Sequence, residues 1–310
     1  MKKTIKKRTL LAIALTAAVI FPGTANAQNV SVGNPVAASQ QVSIDSIDHK
    51  TWDQLLQHFV NEKGQVNYKA WKESANGTQA LDSYLASLSS ANPQQQANRE
   101  NQLAFWINAY NALTVKGILR EYPTTSIRNH TSETGGYNLW KNLFLPVGSS
   151  HYSLDNIEHK ILRKMNEPRI HFAIVCASHS CPRLLNKAYV GANLENQLTT
   201  NTQVFFGNPE NFQYDQRSGS FRLSEIIQWF GSDFGPDQGA QLRYLSNYLP
   251  TQEARAAAQQ GSGGVSFLEY SWALNEQPPE MAKQGSGMKQ GGSAMKQGGS
   301  AMKSNGSGQK

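Results

Sequence analysis

The sequence has few cysteines and lacks the motifs of several common enzyme classes. Only Cys176 and Cys181 occur among its 310 residues, and they do not form a Cys-x-x-Cys pair. There is also no His-Glu-x-x-His, so the signal for a zinc site is weak. Glycine loops of the phosphate-binding type and the Gly-x-Ser-x-Gly of serine hydrolases are absent as well. We therefore expect neither a metal nor a cofactor.

The sequence contains a single long hydrophobic run, which covers residues 10–21. It is too short to span a bilayer, which requires about 20 apolar residues. Basic residues precede it, and Ala25-Asn26-Ala27 follows it with the small side chains of a cleavage site. This order is typical of a secretory signal peptide. We expect residues 1–27 to be removed on export, and the mature protein to be periplasmic or secreted, without a transmembrane segment.

The formal net charge of +7 comes from the two ends of the chain. Between the basic residues of positions 1–8 and the lysines after position 275, basic and acidic residues nearly balance. A nucleic-acid-binding domain needs a basic surface on its folded part, so we expect no nucleic-acid partner. Residues 276–310 repeat Met-Lys units every seven residues, but their glycines disfavour a coiled coil. We expect a disordered cationic tail that can touch anionic surfaces.

Periodicity predicts a single, mainly helical α+β domain with short strands and hairpins. Residues 28–47 have no helical period and are predicted as a linker, and the domain is expected over residues 48–275. Apolar spacing predicts helices over 52–61, 80–88, 95–122, 154–165, 182–189, 193–206, 224–230 and 238–248. Strands are expected at 169–176 and 265–270 and in two hairpins, 143–153 and 211–223.

Cys181 is the strongest candidate for a reactive group. It directly precedes Pro182, and proline is favoured in the first turn of a helix, so Cys181 is predicted to cap the helix 182–189. Unpaired N–H groups and the helix dipole favour a thiolate there, as a nucleophilic cysteine requires. The two cysteines would also suit a structural disulfide in an exported protein, or a redox dithiol. Candidate bases precede Cys181 in the chain, namely His159, His171 and His179.

Two asparagines interrupt the apolar helix predicted over 95–122. Asn108 and Asn111 are three residues apart and share one face of that helix. An unpaired amide is costly to bury, so each must have a partner. Either they orient a catalytic histidine or hold the substrate backbone, or they fasten a neighbouring loop. Glu158 and His159 are a further polar pair, although adjacent helix positions point about 100° apart.

Several long segments resemble the family called domain of unknown function 547. They are NQLAFWINAYNALTVKGIL, SLDNIEHKILR, EPRIHFAIVCASHSCPRL, LSEIIQWFGSDF and YSWALN, with GQVNYKAW near the start. The resemblance covers about residues 50–275 and implies a mostly bacterial, exported domain without an agreed reaction. It implies a pattern that leaves His179 variable and includes Trp106, Asn108, Asn111, Glu158, His159, Arg163, His171, Cys176, Cys181 and Pro182.

The leading hypothesis is a cysteine hydrolase or acyl transferase. Because the histidines precede the cysteine, the arrangement would be a permuted papain-like or transglutaminase-like one. Cys181 would attack a peptide, protein or peptidoglycan amide, with His171 or His159 as base and Asn108 or Asn111 orienting the ring. N–H groups at the start of 182–189 would stabilise the oxyanion. Substrate binding is assigned to Trp106, Asn111, Glu158 and Arg163.

Two alternatives stay open. One is a non-enzymatic binding or structural module, in which a Cys176–Cys181 disulfide supports a groove for peptide or glycan. The other is a thiol–disulfide redox protein with an unusual cysteine spacing. Thiol titration of the purified protein separates the three hypotheses. Two free thiols favour the enzyme, none favours the disulfide module, and a mixture that depends on potential favours the redox protein.

Overall fold

The computed structural model describes residues 29–131 and 137–278. The expected signal peptide and nearly all of the expected tail lie outside these residues. The described chain has the expected α+β architecture, with predominant helices and short strands. None of the helices in these two ranges is long and apolar enough to cross a membrane.

The helices are α1 (Lys50–Phe59), α2 (Tyr68–Glu73), α3 (Ala75–Ser89), α4 (Arg99–Glu121), α5 (Leu139–Asn142), α6 (Leu194–Gly207), α7 (Glu225–Trp229), α8 (Gly231–Phe234), α9 (Gln238–Leu245) and α10 (Gln252–Gln260). The strands are β1 (Val30–Ser31), β2 (Leu143–Val147), β3 (Ser150–Ser153), β4 (Phe212–Asp215), β5 (Ser220–Ser224) and β6 (Val265–Leu268). A π-helical turn covers Asn156–Ile161, and 3₁₀ helices cover Ala38–Gln40, Ile44–Ser46, Ile127–His130, Leu162–Met165, Pro168–Phe172, Gly191–Asn193 and Ser246–Tyr248.

The long helix α4 lies at the centre of the larger hydrophobic core. Asn98 begins it, because its side-chain oxygen accepts hydrogen bonds from the N–H groups of Glu100 and Asn101. Most residues from Leu103 to Leu119 are buried, so the helix has no broad solvent face. Helices α1, α2 and α3 supply a group of packed rings, Trp52, Phe59, Trp71 and Tyr84. A helix held in this way is a rigid support for the loops around it.

Two three-stranded sheets complete the fold. In the first, β1 is parallel to β2, and β2 is antiparallel to β3 across a turn at Gly148, whose φ of 61° favours glycine. In the second, β4 and β5 form an antiparallel hairpin and β6 is parallel to β5. A second hydrophobic cluster joins this sheet to α6, α7, α9 and α10, and Trp272 contacts both clusters. Both predicted hairpins and the strand predicted at 265–270 are confirmed.

The structure places residues 29–47 in the domain rather than in a linker. Val30 pairs with Leu143 of β2, and Ile44 is only 2% exposed within the larger core. At the other end, the N–H group of Gln277 donates to the Val66 carbonyl, so the domain extends beyond residue 275. Such segments make few apolar contacts, and so they leave no period in the sequence.

Two predicted elements next to the cysteines are wrong. The expected strand 169–176 is the 3₁₀ helix Pro168–Phe172 followed by irregular chain, and the expected helix 182–189 is irregular throughout. Cys181 therefore does not cap a helix, and no helical N–H groups are available there for an oxyanion. A short apolar run does not distinguish a strand or helix from buried irregular chain.

Side-chain amides of α4 pair with the backbone of these irregular segments. Asn111 donates to the Ala173 carbonyl and accepts from the Val175 N–H group. Asn108 binds both polar backbone groups of Tyr189 in the same manner. Because a buried backbone group must have a partner, these amides replace the hydrogen bonds of a strand or helix. Helix α6 contributes further amides, Gln197 and Asn201.

Candidate active site

The two cysteines lie in residues 176–182, which we call the cysteine loop. The segment after β6 holds this loop, because the His179 N–H group donates to the Ala273 carbonyl and the Asn275 N–H group donates to the Ala177 carbonyl. Ala177 has a φ of 58°, a left-handed conformation that costs a residue with a side chain about 1 kcal/mol or more. The surrounding structure therefore imposes the position of both sulfur atoms.

The sulfur atoms of Cys176 and Cys181 are 3.1 Å apart. Both thiols are free, since a disulfide bond measures about 2.05 Å, and the disulfide of the alternative hypothesis is not formed in this structure. Cys176 Sγ also lies 2.9 Å from Ser178 Oγ and 3.1 Å from Tyr270 Oη. Cys181 Sγ accepts a 3.0 Å hydrogen bond from the Cys176 N–H group. Cys176 thus has the larger set of side-chain partners.

These contacts make Cys176 the more acidic thiol. Ser178 Oγ and Tyr270 Oη are 2.6 Å apart, so one hydroxyl donates to the other and one hydroxyl proton remains for the sulfur. Donation to the ionised sulfur from the Cys181 thiol, and then from the one hydroxyl that remains, lowers the pKa of Cys176 to about 7. Burial, reinforced by the bond to Cys176, raises the pKa of Cys181. The structure therefore favours Cys176 over Cys181 as the nucleophile.

Both cysteines line an open cavity of about 460 Å³. Small-ligand sites usually measure about 300–1,000 Å³. Part of the lining is a group of rings that we call the aromatic wall: Trp140, Trp229, Phe230, Tyr270 and Trp272. Besides the cysteines and Tyr270, the cavity brings together six titratable side chains: Tyr110, Lys141, Asp155, Glu158, His159 and His171.

Glu158 is a half-buried acid of this cavity. It lies in the π-helical turn, and its Oε2 accepts a 3.1 Å hydrogen bond from Tyr110 Oη. Burial raises the pKa of Glu158, and the nearby Cys176 raises it further. By reciprocity, the Glu158 carboxylate opposes ionisation of Cys176. The adjacent His159 has a different neighbour, Arg163, whose Nη1 is 3.3 Å from its Nδ1.

His171 and Asp233 form a second polar pair at the cavity. His171 Nε2 is 2.8 Å from Asp233 Oδ2, and Arg163 donates to both oxygens of that carboxylate at 2.7 Å. The bonds from Arg163 lower the pKa of Asp233 to about 2. Burial beside Phe230 and Phe234 lowers the pKa of His171 to about 4, because Arg163 already balances the carboxylate charge. The imidazole is therefore neutral at pH 7, with its Nε2 proton directed at Asp233.

Hydrogen bonds do not link this pair to the thiols. The hydrogen-bond partners of the two sulfur atoms are each other, a backbone N–H group and two hydroxyls. Within the described ranges, no histidine donates to or accepts from either sulfur. The base predicted at His171 or His159 thus shares a cavity with the nucleophile without contacting it in this way.

Other predicted site residues serve the fold. Asn108 and Asn111 fasten loops and do not reach a histidine, because both polar ends of each amide bind backbone. Trp106 is buried between Phe105 and Tyr152, away from the cavity lining. Their assignments to ring orientation and substrate binding are therefore not supported by this geometry. Arg163, assigned to substrate binding, instead holds Asp233.

The family model described as "Protein of unknown function, DUF547" matches residues 94–206. This match confirms the expected resemblance to the family over that segment. The DUF547 segment contains α4, Glu158, His171 and both cysteines, whereas Asp233 and most of the aromatic wall follow it. No match to the chain was found among curated proteins or among solved structures.

Sequence reasoning missed Ser178, Asp233 and Tyr270. All three occur in segments through which the chain resembles the DUF547 family: Ser178 in EPRIHFAIVCASHSCPRL, Asp233 in LSEIIQWFGSDF and Tyr270 in YSWALN. That signal marked the segments without showing which side chain faces the cavity. Tyr270 is 94 residues from Cys176, so that only the fold brings the two together. Among the described residues, no group of three or more His, Cys, Asp or Glu side chains is arranged to hold a metal ion.

Proposed function

We propose that the chain is a thiol–disulfide exchange protein whose reactive pair is Cys176 and Cys181. The observation that carries this proposal is the contact between the two sulfur atoms, 3.1 Å apart, beside two hydroxyl groups. Exchange requires one thiol that ionises near neutral pH and a second thiol within reach of the first. The pKa of about 7 at Cys176 meets the first requirement, and the position of Cys181 meets the second.

In the first step the Cys176 thiolate attacks a substrate disulfide, R–S–S–R′. A bond forms between Cys176 Sγ and the sulfur of R, the substrate S–S bond breaks, and R′–S⁻ leaves with the electron pair. In the second step Cys181 loses its proton and attacks Cys176 Sγ, which forms the internal disulfide and releases R–S⁻. Two electrons thus pass from the protein to the substrate, and the two released thiolates take up protons from water. A dithiol reductant returns the protein to its starting state by the reverse exchange.

Equilibration in glutathione buffers of graded potential, followed by alkylation and mass spectrometry, tests this function. We expect a reversible change between two free thiols and one internal disulfide. Cys181→Ser should accumulate glutathione on Cys176, because the resolving thiol is missing, whereas Cys176→Ser should accumulate much less. Two thiols that persist in fully oxidised glutathione would contradict exchange, and a disulfide that resists reduction would indicate a structural module instead.

We also propose that the protein is exported, with residues 1–27 as its signal. The order of basic, apolar and small residues supports this proposal. Replacing Leu11, Ile13 and Leu15 with charged residues should leave the protein uncleaved in the cytoplasm, because the central region must be apolar for translocation. Normal processing of that variant would contradict export.

The His171–Asp233 pair supports a second candidate, the amide hydrolysis or acyl transfer expected from the sequence. A neutral imidazole held by a carboxylate is the usual form of a base for a nucleophilic thiol. In this permuted papain-like arrangement Asp233, rather than Asn108, would orient the ring. His171 would then have to approach Cys176 when substrate binds, as catalytic contacts often tighten in that state.

Two variants separate these functions. A hydrolase requires Cys176 and His171 but not Cys181, whereas exchange requires both cysteines and no histidine. Hydrolysis is favoured if the Cys181→Ser protein releases amine from peptide or peptidoglycan amides in reducing buffer. The double variant Cys181→Ser, His171→Gln should then lose this activity. Reversible oxidation without such release would favour exchange.

A further inference from the structure

The aromatic wall continues directly from the reactive sulfur. Tyr270 Oη is 3.1 Å from Cys176 Sγ, and the centroid of the Tyr270 ring is 4.9 Å from that of Trp229 and 4.7 Å from that of Trp272. Trp229 and Trp272 are stacked with their centroids 5.7 Å apart. A group that enters the cavity and bonds to Cys176 must therefore lie beside these rings.

Trp229 is the uncovered part of the wall. Its side chain is 44% exposed, whereas Arg128 lies over the ring of Trp272 at 5.3 Å from the centroid. A large exposed ring at the mouth of a cavity indicates a surface that a ligand covers. The indole ring of Trp229 presents a broad apolar surface, which favours an apolar or aromatic group as its partner.

We propose that the substrate is a polypeptide disulfide with an apolar or aromatic side chain next to its cysteine, and that this side chain packs on Trp229. This inference rests on the exchange function proposed for Cys176 and Cys181. Sugars also stack on tryptophan rings, but a glycan offers no disulfide to the dithiol of the same cavity. A volume of about 460 Å³ admits an extended segment with one or two large side chains and no folded domain. The substrate segment is therefore unfolded or loosely folded when it reacts.

Two peptide probes test this substrate class on the reduced, full-length mature protein. They are acetyl-Phe-Cys-Phe-amide and acetyl-Ala-Cys-Ala-amide, each joined through its cysteine to the chromophore 2-nitro-5-thiobenzoate. Attack by Cys176 on the peptide sulfur releases the chromophore, and the reaction of each probe with glutathione corrects for its intrinsic reactivity. We expect the corrected rate to be about tenfold higher for the phenylalanine probe, because a half-covered apolar side chain gains roughly 1.4 kcal/mol.

Trp229→Ala should reduce this preference to about twofold or less, and Trp229→Leu should retain an intermediate preference. Phe267→Ala is the matched control, since Phe267 is an exposed ring of β6 that does not line the cavity, and it should keep the full preference. Equal corrected rates for the two probes in the unaltered protein would overturn the substrate class while leaving exchange intact.

Two other outcomes also overturn the proposal. If neither probe reacts faster with the unaltered protein than with the Cys176→Ser protein, the exchange function is wrong and the substrate class is wrong with it. If oligomers of N-acetylglucosamine quench the fluorescence of the unaltered protein but not of Trp229→Ala, and abolish the preference for phenylalanine, the wall binds sugar. The fate of the chromophore therefore distinguishes an error in the function from an error in the substrate.

Discussion

The chemistry of the cysteine loop depends on which of two adjacent thiols holds its proton. Cys176 lies among donors, and the half-buried Cys181 beside it accepts from one backbone N–H group. A helix after Pro182 would have activated Cys181 through its N–H groups, but the chain there is irregular. Instead, the Cys181 thiol, together with the hydroxyls of Ser178 and Tyr270, lowers the pKa of Cys176.

This difference predicts unequal alkylation of the two cysteines. In Cys181→Ser the remaining Cys176 should react with iodoacetamide at pH 7 about tenfold faster than Cys181 does in Cys176→Ser, because a larger fraction is thiolate. The double variant Ser178→Ala, Tyr270→Phe removes both hydroxyls and should raise the pKa of Cys176, which shifts its rate profile to higher pH. The measurement is the alkylation rate against pH for each variant. Equal rates for the two cysteines would contradict this assignment.

Glu158 should control the ionisation of Cys176. Its carboxylate opposes the Cys176 thiolate, so Glu158→Gln should lower the pKa of Cys176 and speed its alkylation at pH 6. Asp155→Asn, which changes another carboxylate of the cavity, is the matched control. Unchanged or slower alkylation of Cys176 in Glu158→Gln would contradict this role.

At the scale of elements, the success of sequence prediction depends on how each segment satisfies its backbone. Helices such as α4 and α6 bond internally and present a repeating apolar face, so their period is visible in the sequence. The segments around 173–175 and 188–190 bond instead to amides of Asn111, Asn108 and Gln197 from distant helices. Those partners depend on tertiary packing, which no local pattern encodes. The errors therefore fall next to the cavity, where irregular chain positions the reactive groups.

The buried asparagines of α4 should be costly to replace. Asn108→Ala and Asn111→Ala each leave a backbone N–H group and a carbonyl without a partner, so we expect a loss of about 2–4 kcal/mol of unfolding free energy. Asn196→Ala, on the exposed face of α6, should change stability by less than about 0.5 kcal/mol. Urea unfolding measures the three variants. A small effect at Asn108 or Asn111 would mean that these amides do not support the loops.

At the scale of the molecule, the buried His171 and the half-buried His49 make stability depend on pH. Burial lowers the pKa of both His49 and His171 from 6.5 to about 4. Between these values the unfolded chain binds protons that the folded chain does not, so stability falls as the pH decreases from about 6.5 to 4. Each histidine contributes at most about 1.4 kcal/mol per pH unit. Across this range the urea midpoint should fall less steeply with decreasing pH in His49→Gln than in the unaltered protein. A midpoint that does not change with pH in either protein would contradict the burial argument.

The end of the domain supplies a second test at this scale. Glu276 accepts a 2.6 Å hydrogen bond from Tyr122, and Gln277 bonds to the carbonyls of Phe59, Gln65 and Val66. A chain that ends at Asn275 loses these bonds and should melt about 5–10 °C lower than a chain that ends at Pro278. Calorimetry of the two truncated proteins makes the comparison. Equal melting temperatures would place the boundary at residue 275, as the sequence suggests.

The candidate site was predictable only in part. Both cysteines, Glu158, His159 and His171 could be named from the sequence, because they are unusual residues within recognisable segments. Asp233 and most of the aromatic wall could not, because they come from residues 229–272, which the packing of the second sheet and its helices brings to the cysteine loop. Contacts between residues far apart in the sequence cannot be predicted from local patterns, even when each residue belongs to a segment that resembles the family.

The dependence of the cysteine loop on the segment after β6 has a consequence for the timing of reactivity. Tyr270 and the backbone of 271–275 follow Cys176 by more than ninety positions in the chain. A polypeptide that emerges from its N-terminus first exposes Cys176 and Cys181 while these partners have yet to arrive. During that interval both are ordinary cysteines, mostly protonated and slow to react. Cys176 therefore becomes reactive only after the segment that follows β6 has been synthesised and has folded onto the cysteine loop.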